Sequence, residues 1–316
     1  MIAYVGRRLI GLVTVLVITS FLVFAGLHLA PGSPESFLLQ GKTVSPETVA
    51  SIRAQYHLDD PFFVQYARWA SGILHGDFGR SLIFRQDVAS LVWSRIPTTL
   101  FLGAYSAVLI LVWGLALGIL AALLRGRTDS AILVTTTVGA GTPSFVAAIV
   151  LITIFSVRLG WFPAFGSGDG LAGRIEHLTL PAIALALSYL ALVARVTRAA
   201  MLEELRREHV ETARVRGIRE SVIIRRHVLR NALAPITTIS GIVIAGLLTA
   251  AVVVESAFSL NGLGTLLLQS VNVKDFPVVQ AIVLLLVTVF VVTNLIVDLL
   301  YGLIDPRVSL GQGRTR

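Results

Sequence analysis

Long apolar runs separated by shorter polar segments set the pattern of this chain. A helix needs about 20 predominantly apolar residues to cross the hydrocarbon core of a bilayer. Six stretches approach or exceed that length: Leu9–Ala30, Thr98–Leu124, Ala131–Val157, Leu180–Ala194, Ile236–Phe258 and Val278–Ile304. The fourth is the shortest. It is expected to continue to Arg198, because the long stems of Arg195 and Arg198 can carry their charges towards headgroups. The expected fold is an all-α polytopic membrane protein of six transmembrane helices, the first within residues 1–30 and the rest near 98–124, 131–157, 180–198, 236–258 and 278–304. The first run follows Arg7 and Arg8, as the apolar part of a signal peptide would. Its 22 residues exceed the roughly 7–15 of a secretory h-region, and "GRRLIG" is too short to match a twin-arginine signal, so it is expected to remain as a membrane helix.

The polar segments carry helix signals of their own. Residues 31–94 lie between the first two runs. "SPET" at Ser45–Thr48 offers an N-cap followed by proline at the first helical position. Asp60 and Pro61 repeat the signal, and Phe62, Tyr66, Trp69 and Ile73 then recur at helical spacing. Gly76 and "GDFGRSL" supply turn chemistry. An amphipathic segment of this kind is either a cap packed on the bundle or a docking surface for an external partner. In the second reading Phe62, Tyr66, Trp69, Asp77 and Arg80 are the candidate contacts. Two shorter turn-rich segments are "LGWFPAFGSGDG" at Leu159–Gly170 and "FSLNGLGTLLLQSVNVKDFP" at Phe258–Pro277, with Trp161 and Phe162 placed as an interfacial aromatic belt would be.

The largest polar interruption runs from Arg195 to Pro235, and residues 199–235 form its loop. Gly217 divides it as a natural helix stop. Before it, Leu205, Val210 and Ala213 form a thin apolar stripe. After it, Glu220 or Ser221 can start a second helix, in which Val222, Arg226, Leu229 and Leu233 share a face with Ile223, Ile224 and Val228 alongside. Pro235 marks the start of the fifth span. The pattern predicts two short helices joined by a sharp turn, a knob able to fit a groove in another protein.

Composition and charge then narrow the class. Of 316 residues, 55% are hydrophobic and 14% charged, with a mean hydropathy of +0.82. Soluble domains sit near 45–50% apolar and about 25% charged. There is no cysteine, so neither a disulfide framework nor a thiolate metal site can form. If both ends are cytoplasmic, 17 of the 26 Lys and Arg face inwards with seven acidic residues, while nine basic and nine acidic residues face outwards. The positive-inside rule therefore places both termini, the Arg195–Pro235 knob and the tail 305–316 in the cytoplasm. The net charge of +8 is thus a topology signal, and nothing in the chain resembles a nucleic-acid-binding module. No G-x-x-x-x-G-K-[ST] loop, metal-binding helix pair, nucleophile elbow or paired catalytic carboxylates are present, so an enzyme is disfavoured. A stand-alone channel or secondary carrier stays open as a distant alternative, although no inverted repeat is apparent.

Polar and small residues inside the spans are candidates for a transport pathway or gate: Ser144, Ser240, Gly241, Gly246, Thr249, Glu255 and Asn294. Small residues also permit close helix packing. Glu255 and Asp298 are intramembrane carboxylates, which mark function by default. His28 reads as an interfacial residue rather than a metal ligand, and no metal site is expected.

One motif carries more specific information. Glu211-Thr212-Ala213, three further residues and then Gly217 resemble the Glu-Ala-Ala triplet, spacer and glycine of the coupling loop in binding-protein-dependent ABC importer permeases. The common Ile-x-Leu-Pro ending is missing. Instead "RHVLRNALAP" leads to Pro235, as in the dipeptide/oligopeptide/nickel branch of that family. "LHLAPGSP", "GDFGRSL", "RIPTTL", "LGWFPAFG", "HLTLPAIALAL", "VVVESAFSLNGLG" and "VDLLYGLIDPRV" are similar to the same branch and run in order through nearly the whole chain. The resemblance implies a type I importer permease fold, with an outer helical segment between helices 1 and 2, as in the first of two non-identical permeases. It implies a transmembrane domain over residues 95–304, and a prokaryotic plasma (inner) membrane location. Expected partners are a second homologous permease, two ATP-binding subunits on the cytoplasmic side, an extracytoplasmic substrate-binding protein and membrane lipid, with no nucleic acid. ATP and Mg would be bound by the ATPases, leaving no cofactor in this chain. Glu211, Thr212, Ala213, Arg214, Arg216 and Gly217 would couple hydrolysis to alternating access, although the arginines of this block also serve topology. Peptides are the expected substrates, with nickel, glutathione or haem as alternatives on the same architecture.

Overall fold

The computed structural model describes residues 2–29, 47, 50, 59–81, 83–124 and 126–304. The expected "SPET" helix start, the tail 305–316 and the side chains of His28 and Asp298 lie outside the described residues. Among those described the regular secondary structure is helical, and an isolated bridge joins Arg80 and Asp87. The helices are α1 (Ile2–Leu29), α2 (Phe62–Leu74), α3 (Val88–Leu123), α4 (Arg127–Gly141), α5 (Ser144–Leu151), α6 (Gly170–Leu205), α7 (Glu208–Val215), α8 (Glu220–Val222), α9 (Leu229–Ala257), α10 (Leu263–Asn272) and α11 (Phe276–Ile304). π-Helical turns follow α5 at Ile152–Arg158 and join α8 to α9 at Ile223–Val228.

Among the described residues five helices are long and apolar enough to cross a membrane, and a sixth span results if the bent pair α4–α5 counts as one. That bend departs from the single span expected over 131–157. The two halves diverge by 100° at a break before Ser144. The cause is local: Pro143 disfavours helical geometry in the residue before it, and Thr142 is extended at φ −86° and ψ 118°. The fourth span is longer than expected, because α6 starts at Gly170 and continues to Leu205.

The chain divides into two compact units. The first comprises Thr98–Leu260 and the stretch from Phe290. Its core places Leu178, Leu180 and Leu185 of α6 with Leu102 and Ile110 of α3 and with Val243, Leu247 and Val254 of α9, all buried. Glycine makes the close approach of α3 to α6 possible. A Cβ on Gly118 would lie 2.6 Å from the Ala194 carbonyl oxygen and from Thr197 Cβ, and one on Gly114 would lie 2.9 Å from the Val193 side chain. A second apolar cluster, of Met201, Leu205, Val210, Ala213, Ile223, Val228, Ala232 and Ile236, joins the end of α6 to α7 and α9. After the glycine the buried side chains of this cluster are Ile223, Val228, Ala232 and Ile236, while Val222 and Leu233 are exposed. The π turn explains the change of face: its i→i+5 bonding rotates side chains away from the 3.6-residue register.

The second unit comprises Ile2–Pro97 and Asn261–Val289. Phe62, Tyr66 and Trp69 of α2 meet Phe24 of α1 with ring centroids 5.5, 5.6 and 5.3 Å apart, and the Tyr66 hydroxyl lies 2.8 Å from Ser20 Oγ. Asp60 does not cap α2. The helix starts after Pro61 with no side-chain cap, and the Asp60 carboxylate pairs instead with Arg68 at 2.7 Å. Val88, Leu91 and Val92 pack with Leu263, Leu266, Val278, Ala281 and Ile282 to form the core of this unit. In the same unit, the buried Ser81 hydroxyl donates to the buried Asp275 carboxylate and accepts from the Phe84 amide at 2.9 Å.

Candidate functional site

The hairpin of α7 and α8 stands on the second cluster of the first unit. α7 ends where Gly217 takes φ +73°. The Ile218 amide donates to the Ala213 carbonyl at 3.2 Å and the Gly217 amide to that of Arg214 at 2.9 Å. These bonds satisfy carbonyls that a helix end leaves open, in the pattern of a Schellman cap. Arg214 closes the turn from outside, donating from Nε and Nη2 to the two Glu220 oxygens at 3.1 and 2.6 Å. Ala213 is buried, whereas Glu211, Thr212, Arg214, Arg216 and Gly217 are exposed. Glu208 and Glu211 occupy the first turn of α7 and Arg214 the last, the arrangement that complements a helix dipole. The six candidate coupling residues therefore sit on one short helix and its cap, with Ala213 turned inwards and the charged side chains outwards.

Sequence reasoning missed the polar joint at the base of this hairpin. Glu204, near the end of α6, is buried. Its Oε1 lies 3.0 Å from Arg207 Nε. Asn231 Nδ2, in the first turn of α9, donates to Oε2 at 3.3 Å, and His209 Nε2 of α7 is 3.8 Å from the same oxygen. Period and composition place Glu204 among ordinary loop charges, and only the fold brings residues 204, 209 and 231 together. The two arginines expected to reach towards headgroups are also engaged. Arg198 forms a bidentate pair with Asp129 at 2.6 and 2.5 Å, and Arg195 donates to Thr137 at 2.5 Å.

The candidate pathway residues do not gather at one place. Ser240 and Gly241 are buried within the helix packing of the first unit, and Ser240 donates to its own helix at Ile236. Gly246 faces the Tyr189 hydroxyl, and Thr249 is exposed. Ser144 opens α5 after Pro143. Asn294 donates to the Phe290 carbonyl of its own helix. Glu255 is fully buried and accepts a 2.6 Å hydrogen bond from Thr99. Thr99 belongs to the "RIPTTL" segment.

Of the candidate docking residues, Phe62, Tyr66 and Trp69 turn their rings to α1, as described. Asp77 caps the Gly79 amide at 2.9 Å, and Arg80 carries the bridge to Asp87; both are exposed. The large exposed apolar residues of α2 are Phe63, Val64 and Leu74. Among the described residues no group of three or more His, Cys, Asp or Glu could hold a metal ion.

Comparison with known proteins places this architecture. Residues 114–310 match the family described as "Binding-protein-dependent transport system inner membrane component", and residues 1–103 match its N-terminal companion, "Binding-prot-dependent transport system membrane comp, N-term". The chain belongs to this family. It is an inner-membrane permease subunit of an ABC importer. Relatives include the glutathione transport system permease proteins of Escherichia coli (strain K12) and Salmonella choleraesuis (strain SC-B67), each 38% identical over 309 residues that cover 98% of this chain and 99% of the relative. The permease fold is similar to that of the inward-facing MetNI methionine ABC transporter, with a TM-score of 0.56 at 18% identity over 68% of this chain and 96% of that one. It is also similar to an amino acid ABC transporter solved with histidines, with a TM-score of 0.51 at 21% identity over 69% and 94% of the two chains. Permeases of this class act with ATPase subunits and a substrate-binding protein.

Proposed function

We propose that this permease moves short peptides inwards, pairs with a second, homologous permease, and is driven by two cytoplasmic ATPase subunits, one of which grips the α7–α8 hairpin. Both termini lie on that side, as the excess of Lys and Arg indicates. The observation that carries the mechanism is the Gly217-turned hairpin, a capped helix seated on the ends of two spanning helices with its charged side chains exposed. A ligand shifts a two-state equilibrium only through its differential affinity for the two states. ATP bound to another subunit therefore needs a stiff element to reach the membrane, and this hairpin supplies one. Glu211, Arg214 and Arg216 offer charge-assisted hydrogen bonds to the ATPase groove. The outer segment around α2, Asp77 and Arg80 receives the loaded binding protein.

The substrate class rests on full-length similarity to permeases named for glutathione, which is itself a tripeptide. Glutathione is thus the first peptide to test. The permease pair, its ATPases and its binding protein, reconstituted in proteoliposomes, should take up labelled glutathione or di- and tripeptides only when ATP and the binding protein are both present. ATP-dependent uptake of nickel or haem with no peptide uptake would overturn the substrate class, and uptake by this chain alone would overturn the importer mechanism.

A further inference from the structure

We propose that Glu204 is a positioning residue for energy coupling, whose buried carboxylate fixes the hairpin to two spanning helices at once. The proposal rests on the reading of α7 as the ATPase-facing element. A long acidic side chain at a helix end ordinarily extends into water, and the neighbouring Glu203 does so with 72% of its side chain exposed. Glu204 turns the other way and exposes 11%. A carboxylate withdrawn from water is tolerated only when partners replace the lost hydration. Those partners come from three places in the chain. Arg207 belongs to the turn between α6 and α7, His209 to the first turn of α7, and Asn231 to the first turn of α9. The Asn231 amide also lies 3.5 Å from His209 Nε2, so α7 and α9 are joined directly as well as through the carboxylate.

The apolar cluster below holds the same elements together, but hydrophobic contact is non-directional and lets one helix roll against another at little cost. Hydrogen bonds to a charged acceptor are directional and strong, and a buried group that loses them pays a desolvation penalty. The cluster therefore supplies cohesion, and Glu204 sets the angle. With that angle held, a push on α7 moves the inner ends of α6 and α9 together. Without it the hairpin pivots, and hydrolysis proceeds with less movement of the spans.

The test uses the complete transporter in proteoliposomes and reads ATP hydrolysed per peptide imported. A purely structural role lowers the amount of complex and both rates equally, leaving that ratio unchanged. Glu204→Leu and Asn231→Leu are expected to raise the ratio roughly tenfold, as loss of a hydrogen bond to a charged group implies. Glu204→Gln keeps an oxygen for Asn231 but loses the charge facing Arg207, so it should fall between these variants and the unaltered protein. Gly217→Val serves as the reference for the hairpin itself. An unchanged ratio in Glu204→Leu alongside a raised one in Gly217→Val overturns the role of Glu204 and leaves the hairpin reading intact. An unchanged ratio in Gly217→Val as well overturns both. If Glu204→Leu does not assemble, Asn231→Leu and Glu204→Gln decide, and an unchanged ratio in both overturns the proposal.

Discussion

Gly217 holds φ +73° with open space where a Cβ would be, so the cost of replacing it is conformational rather than steric. A β-branched residue forced into this region is strained by about 1–3 kcal/mol. Gly217→Val should therefore fray the cap of α7, seen as faster hydrogen exchange at the backbone amides of position 217 and Ile218; unchanged protection would show that the cap does not depend on glycine. Glu255 raises a different question at the same scale. Glu255→Gln retains an oxygen for the Thr99 hydroxyl, whereas Glu255→Leu removes the acceptor of that buried hydrogen bond, a loss of about 0.5–1.5 kcal/mol. The leucine variant should melt at a lower temperature in detergent than the glutamine variant. At Asp275, burial raises the carboxyl above its ordinary value, opposed by the Ser81 hydroxyl and the Val278 amide. The folded chain then keeps this proton at pH values where the unfolded chain has lost it. Its contribution to stability is complete below the unfolded value and is lost as pH rises through the folded one. Urea unfolding of the second unit should be harder at mildly acidic than at neutral pH, and Asp275→Asn should weaken that dependence.

Between α3 and α6 the determining feature is the absence of side chains. Gly118→Ala would put a methyl group 2.6 Å from the Ala194 carbonyl oxygen, so the helices must separate. Overpacking of this kind costs about 1–3 kcal/mol, and the melting temperature should fall, while Gly141→Ala, with nothing within 4 Å of the added methyl, should not reproduce the loss by contact. The spanning helices themselves were legible in the sequence because apolar run length is a direct consequence of bilayer thickness. The division at Gly217 was legible because glycine alone enters positive φ cheaply. Other features were not. The apolar run over 131–157 hides the bend at Thr142 and Pro143, where backbone restriction outweighs hydrophobicity. The π turn at Ile223–Val228 moves the buried face off the periodic positions. Helical spacing marks the aromatic face of α2, but only the fold shows that α1 covers it. The Glu204 joint depends on contact across 27 residues of sequence, which no local pattern encodes.

The molecule as a whole is a permease that depends on other subunits for energy and for substrate capture. Family membership covers both its N-terminal part and its main transmembrane region, while the proposed division of labour turns on where the α7–α8 hairpin docks. The chain contains no cysteine, so a single introduced thiol reports without background from this subunit. In the assembled transporter, Arg216→Cys carrying a heterobifunctional thiol–amine cross-linker should give a covalent adduct with an ATPase subunit. Phe63→Cys on α2, treated in the same way, should give none. An ATPase adduct from position 63, or none from position 216 in an intact complex, would contradict the placement of the hairpin as the element through which ATP hydrolysis drives transport.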